Sequence, residues 1–164
     1  MKVLVDLKTT VSALAAAVIL TACGGSAPVS IADLPTYTGA TALQPGNSPI
    51  ATTLKNNETQ AASMGQKLEQ KAFSLPKDAT WDKITAFYSE QLKAKGWKEG
   101  VAGGIAGGMA NEMASKALAQ ANAGNDMLKT TILNRGKQTL TILRLASNPN
   151  DKTDAQLLLS LNTH

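Results

Sequence analysis

Apolar residues recur at helical spacing between residues 80 and 95, and this is the clearest pattern in the chain. They form one stripe, made of Trp81, Ile84, Phe87, Tyr88 and Leu92. Thr80 has the side chain of an N-cap, and Gly96 stands where helices commonly end in a left-handed residue. Trp97 follows, placed to fold back onto the helix end. The pattern predicts an amphipathic helix over residues 80–95.

Residues 66–75 alternate between charged and smaller or apolar positions, which is typical of a strand with one wet face. Residues 127–134, 137–146 and 155–163 also predict strands, and Leu157, Leu159 and Leu161 of the last run face one way. Arg135-Gly136 predicts a tight turn and residues 148–151 predict another, so the last three runs form a meander. The apolar face of the meander needs a cover, which the predicted helix provides. We therefore predict an α+β fold, a mostly antiparallel sheet with one helix packed across it.

Two segments follow neither pattern. Residues 41–65 are polar and contain prolines, a glycine and an asparagine pair, so they predict loops with one short strand. Residues 100–125 are glycine-rich and then alanine-rich. The second half of this segment, about 109–121, predicts a helix. We interpret residues 100–125 as an insertion between strands.

The N-terminus has the parts of a secretory signal peptide. Lys2 and Lys8 supply a basic start, residues 11–20 form an apolar run, and Ala22 after it gives a cleavage site with a small residue. A segment that spans a bilayer needs about 20 apolar residues, so this run is too short to be an anchor by itself. We predict that residues 1–22 are a signal peptide.

The stretch Leu20-Thr21-Ala22-Cys23 contains the chain's single cysteine and resembles the lipobox of bacterial lipoproteins. In that family the cysteine thiol carries a thioether-linked lipid and becomes the new N-terminus after cleavage. The resemblance implies lipidation of Cys23 and attachment to a bacterial membrane, with the protein facing the periplasm or the exterior. Gly24 stands where an aspartate favours inner-membrane retention, so the outer membrane is favoured in a bacterium with two membranes.

The resulting organisation has three parts. Residues 1–22 are the signal peptide, residues 23–33 are the lipidated cysteine and a flexible tether, and residues 34–164 are a single α+β domain. With Cys23 lipidated, no thiol remains for a disulfide or for a cysteine-based metal site. The stability of the domain must then come from packing alone.

The net charge of +4 is spread thinly along the chain. Lys93, Lys95 and Lys98 form the tightest cluster, and they flank the predicted helix end, where cations favour the helix dipole. We interpret them as solvated charges. Aromatic and basic residues do not interleave as single-strand binders require, so we expect no nucleic-acid partner.

The residues offer little for catalysis. His164 is the single histidine and the last residue, where a general base or metal ligand is poorly held. The closest acid pairs suit a helix start and a turn, and they are Asp78/Asp82 and Asp151/Asp154. The glycine run at residues 103–108 lacks the Lys-Ser/Thr of a phosphate loop. We expect no enzyme activity, no metal and no cofactor.

A second resemblance involves the mature domain. Residues 34–41, Phe87-Tyr88, Leu92 and Gly96-Trp97 resemble the pattern LPxYPGA…FYxxxLxxxGW of small exported bacterial lipoproteins. The likeness covers residues 34–98 and, more loosely, the meander. The resemblance implies the fold and the cellular compartment, and it implies no activity.

Two functions from different classes are consistent with these features. In the first, the chain is a membrane-anchored, non-catalytic accessory or interaction module, which contacts an envelope protein through residues 100–125. The exposed contacts would then be Ile105, Met109 and Met113. In the second, the domain binds a small apolar or lipidic ligand between helix and sheet. The pocket would then be lined by Trp81, Tyr88 and Trp97.

Overall fold

The structure, a computed structural model, describes residues 27–100, 109–147 and 154–164. Three α-helices and six β-strands lie within these ranges. The helices are α1 (Pro49–Ser63), α2 (Trp81–Lys93) and α3 (Met109–Ala123). The strands are β1 (Thr41–Ala42), β2 (Lys67–Ser74), β3 (Lys98–Glu99), β4 (Leu128–Arg135), β5 (Gln138–Leu145) and β6 (Gln156–Thr163). The fold is α+β, as the sequence predicts.

The strands form one six-stranded sheet in the order β1-β2-β6-β5-β4-β3, with every neighbouring pair antiparallel. The predicted meander of β4, β5 and β6 is confirmed. Its first turn lies one residue later than predicted, because Arg135 still pairs with Gln138 and Gly136-Lys137 makes the connection. Gly136 has a φ of 59°, a left-handed conformation that favours glycine in such a turn.

One face of the sheet, here called the core face, holds the centre of the hydrophobic core. Its fully buried side chains come from β5 and β6 and are Leu140, Ile142, Leu157, Leu159 and Leu161. Helix α2 covers them with Ile84, Tyr88 and Leu92. The opposite face, here called the second face, holds Leu143 between its strand neighbours Thr130 and Leu158, all three half-buried. The core therefore lies between α2 and the core face.

Helix α2 begins and ends as its sequence predicts. The Thr80 hydroxyl accepts a hydrogen bond from the Lys83 N–H, which makes Thr80 the N-cap. At the other end Gly96 has a φ of 83°, and the N–H of Trp97 reaches back to the Leu92 carbonyl at 3.2 Å. This Schellman motif turns the Trp97 side chain into the core.

The short strand predicted within residues 41–65 is β1, but the prediction of loops for the rest is wrong, since most of this segment is helix α1. Ser48 caps the helix by accepting from the Ala51 N–H, and Pro49 occupies its first turn. The buried stripe of α1 consists of Ala51, Leu54 and Ala61 and packs on β2. Two alanines and one leucine give a weak helical periodicity, and this is why the pattern was not visible in the sequence.

The prediction of a flexible tether is also wrong for its second half, because residues 27–33 are bound to the sheet. Ile31–Asp33 form a 3-10 turn capped by Ser30, and Ile31 is buried. The Ser30 hydroxyl and the Ile31 N–H both donate to the Glu69 carboxylate, at 2.7 and 2.9 Å. Partial burial alone would raise the pKa of Glu69, but these hydrogen bonds and the Lys67 charge outweigh it and lower the pKa below its ordinary value.

Helix α3 occupies the connection between β3 and β4, which confirms the predicted helix in the insertion. Lys98 and Glu99 pair with β4, and Gly100 continues that pairing by donating to the Ile132 carbonyl. The Asn122 side chain accepts from the Thr130 N–H at 2.8 Å and donates to the Thr130 carbonyl at 2.6 Å. This side-chain amide pairs with the strand edge as a neighbouring backbone would.

Replacement of residues 101–124 by a short Gly/Ser linker should leave a folded domain, because α3 contributes no side chain to the described hydrophobic core. The unpaired Thr130 edge should lower the free energy of unfolding by no more than about 2 kcal/mol. Thermal unfolding followed by circular dichroism checks this, with Asn122→Ala as the control that removes only the edge contact. Loss of the cooperative transition in the replacement would show that the insertion belongs to the core.

Candidate functional site

A groove of about 440 Å³ lies between α2, α3 and β4. Trp81, Thr85 and Ser89 line it from α2, and Thr130 and Ile132 line it from β4. The side chains from α3 are Ser115, Leu118, Ala119 and Asn122. Their spacing of three and four residues places them on one face of that helix. The lining mixes apolar side chains with hydroxyl groups, an amide and the carboxylates of Asp82 and Glu99, so the groove suits a small molecule that has both apolar and polar groups.

The three aromatic residues predicted as ligand contacts do not share one pocket. Trp81 is half-buried and lines the groove. Tyr88 and Trp97 are 1% and 3% exposed and belong to the packed core. Phe87 stacks edge-on between Tyr37 and Tyr88, with ring centroids 5.4 and 5.1 Å apart. Burial raises the pKa of the Tyr88 hydroxyl, and the Tyr37 backbone lowers it by a smaller amount. The net effect is a raised pKa, so the phenol stays neutral.

The contacts predicted in the insertion have different outcomes. Met113 is 70% exposed on α3, away from the face that lines the groove. Ile105 and the side chain of Met109 lie outside the described residues. Cys23 and the predicted signal peptide also lie outside them. The α3 face of Leu118 and Asn122 was missed because its small residues carry only a weak periodic signal.

A second feature that sequence reasoning missed is a cluster of cations at one end of the sheet. Lys95 and Lys98 follow α2, and the β4–β5 hairpin brings Arg135 and Lys137 beside them. The Arg135 Nε donates to the Lys95 carbonyl at 2.9 Å. These four residues are here called the basic end. The four residues are neighbours because β3 pairs with β4 and β4 pairs with β5. Along the chain, only Lys95 and Lys98 are close to each other.

A cleft of about 460 Å³ opens at the basic end. Trp97 and Leu133 form its apolar floor, and Lys93 and Lys98 stand at its sides. Ser89 and Glu99 complete the lining, and the Ser89 hydroxyl donates to the Glu99 carboxylate. The cleft therefore combines an apolar base with a rim of two lysines and one carboxylate.

The acidic residues singled out in the sequence have ordinary partners or exposed positions. Lys83 bonds Asp78 at 3.2 Å, and its hydrogen bond and charge hold the pKa of that carboxyl below its ordinary value. Asp82 lies in the first turn of α2, Asp154 is exposed, and Asp151 lies outside the described residues. Within the described ranges, no cluster of three or more His, Cys, Asp or Glu side chains is placed to hold a metal ion.

Comparison with protein-family models, curated proteins and solved structures gave no match for this chain. In the part of the chain that the structure describes, no helix combines the length and the apolar character that a bilayer span requires.

Proposed function

We propose that this chain is a bacterial lipoprotein anchored through Cys23, and that its α+β domain serves as a non-catalytic accessory or interaction module of the cell envelope. The observation that carries the proposal is the Leu20-Thr21-Ala22-Cys23 stretch at the end of an apolar run of signal-peptide length. Gly24 favours the outer membrane where two membranes exist. Acyl chains contribute about 0.8 kcal/mol for each buried methylene, so two or three chains hold the protein at the bilayer.

The domain has features that suit an interaction module. Helix α3 stands apart from the hydrophobic core, and Met113 projects from it into solvent. Asp78 and His164 are exposed, and Asp82 and Glu99 are the carboxylates that line the groove between α2 and α3.

The test is lipidation of the full-length chain in a bacterial host. Wild-type protein should lose residues 1–22, gain acyl mass on Cys23 and take up an alkyne-tagged palmitate. Cys23→Ser should abolish the palmitate label completely, because the thioether needs the sulfur atom. Ser26→Ala, a small substitution three positions away, is the matched control and should label like the wild type.

Two results would contradict the anchor. The first is a palmitate label that persists in Cys23→Ser, since the lipid would then sit elsewhere. The second is a wild-type protein that retains residues 1–22 and carries no acyl mass.

A second candidate function is the binding of a small apolar or lipidic ligand, which the groove between α2 and α3 favours. Its volume of about 440 Å³ lies within the range of small-molecule sites, roughly 300–1,000 Å³. Of the three predicted aromatic contacts, Trp81 is the one that lines it. Under this proposal an apolar molecule co-purifies with the domain and depends on Trp81.

A further inference from the structure

The four cations of the basic end outnumber the acidic side chains of the sheet, which are Glu69 and Glu99. Glu69, on the same end of the sheet, accepts hydrogen bonds from Ser30 and Ile31 and also faces Lys67 at 3.6 Å. Glu99 accepts a hydrogen bond from Ser89. Lys95, Lys98 and Lys137 are exposed, and the described residues show no ion pair for them. Their charges are therefore directed to solvent or to a partner.

The opposite end of the domain differs. There Lys83 bonds Asp78 at 3.2 Å, and Lys129 bonds Asp126 at 3.2 Å. Two of the cations at that end thus face carboxylates of the same domain, while Lys77 is exposed without an ion pair among the described residues. At the basic end, none of Lys95, Lys98 and Lys137 has such a partner, so the two ends differ in the share of their cations that is paired.

The start of the described chain is fixed at the basic end. The Arg135 guanidinium donates to the Ala27 carbonyl at 2.8 Å. The Gln138 side chain accepts from the Val29 N–H and donates to the Val29 carbonyl, at 2.9 and 2.7 Å. Cys23 lies four positions before Ala27. Even a fully extended chain covers about 14 Å in four residues, so the anchor must attach close to this end.

We infer that the basic end lies against the anionic lipid headgroups of the membrane in which Cys23 is anchored. The inference rests on the proposed lipidation of Cys23 and adds an orientation and a lipid class to it. A link of about 14 Å is comparable with the Debye length of about 10 Å at 0.1 M salt, so these cations stay within reach of the surface potential. Basic residues beside a membrane anchor are attracted to anionic lipids.

The cleft at the basic end strengthens this inference. Lys93 and Lys98 in its lining suit a phosphate group, although the Glu99 carboxylate also lines the cleft and offsets part of their charge. Its floor of Trp97 and Leu133 suits the glycerol and upper acyl region of a lipid. Apolar and cationic groups in this arrangement suit the boundary between headgroups and acyl chains. The charge, the anchor position and the cleft all point to the same end of the domain.

Lysine footprinting of the lipidated, full-length-derived protein tests the orientation. The protein is reconstituted into vesicles of phosphatidylcholine alone or of equal parts phosphatidylcholine and phosphatidylglycerol, and is acylated by a water-soluble ester. Acylation of Lys95, Lys98 and Lys137 should be about fivefold slower on the anionic vesicles, the change that one cation's attraction to such a surface supports. Salt at about 1 M should remove the difference.

Lys77 and Lys83 at the opposite end are the internal controls and should react equally on both vesicles. Equal acylation of the basic end on the two vesicles, whether fast or slow, would overturn the inference, because no anionic recognition would exist. The mass of the N-terminal peptide is measured on the same sample. An unlipidated Cys23 would defeat the proposed anchor, and the inference would fall with it, whereas a lipidated Cys23 without selective protection defeats the orientation alone.

Discussion

Leu140→Ala will lower the free energy of unfolding by about 2–5 kcal/mol, the cost of removing a buried leucine side chain and leaving a cavity. Leu140 is fully buried on the core face, directly beside Leu133 and Leu161, which are also buried. A domain of this size has a total stability of roughly 5–15 kcal/mol. One substitution at this site therefore removes a large share of it.

Leu143→Ala is the matched control, since it makes the same chemical change in the same strand. Strand alternation places Leu143 on the second face, where it is half-buried beside Thr130 and Leu158. Its substitution should lower the free energy of unfolding by about 1 kcal/mol, because part of the side chain already contacts water. Both variants keep the backbone and the charge unchanged, so the difference reports the burial of each face.

Urea unfolding of residues 24–164, followed by circular dichroism, gives both free energies by linear extrapolation. If Leu143→Ala lowered the free energy of unfolding as much as Leu140→Ala does, the result would contradict this account of the two faces. It would mean that the second face is covered in solution as completely as the core face.

Local patterns predicted much of this fold correctly. Helix α2 carries its N-cap, apolar stripe and terminating glycine within residues 80–97, so every signal is contained in one segment. The meander is equally local, because its strands are consecutive along the chain and each pairs with the next. Each of these elements needs no information from distant parts of the chain.

The predictions that were wrong, for helix α1 and for the tether, failed for a different physical reason. Helix α1 presents mostly alanine to β2, and alanine gives little contrast between the two faces of a helix. The segment around Val29 is fixed by Gln138, which is 109 positions away. A contact at that separation leaves no periodic trace in the sequence. A Gly/Ser/Pro composition therefore suggested a tether where long-range hydrogen bonds hold the chain.

The candidate sites were predictable only in part for the same reason. Trp81 and Trp97 were singled out together, but the Schellman motif at Gly96 directs Trp97 into the core, while Trp81 faces α3. Lys93, Lys95 and Lys98 form a cluster that the sequence itself shows. The hairpin that adds Arg135 and Lys137 to them is a result of tertiary structure.

Trp97→Ala should lower the free energy of unfolding by about 3–5 kcal/mol, the range for truncation of a buried aromatic side chain. Trp97 is 3% exposed, and its indole packs in the core beside the end of α2. The substitution also removes the apolar contact that accompanies the Schellman motif. We therefore expect a large fall in the urea midpoint, measured by circular dichroism so that loss of the fluorophore does not matter.

Trp81→Ala provides the comparison that separates a packing role from a binding role. Trp81 is half-buried at the N-terminal end of α2, so its truncation should cost about 1–2 kcal/mol and leave the domain folded. If the groove holds an apolar ligand, organic extraction of the wild-type protein yields that molecule, and extraction of folded Trp81→Ala yields much less. Equal destabilisation by the two substitutions would contradict the different burial of the two side chains. An empty extract from the wild type would weigh against ligand binding and leave the groove as a packing boundary between α2 and the insertion.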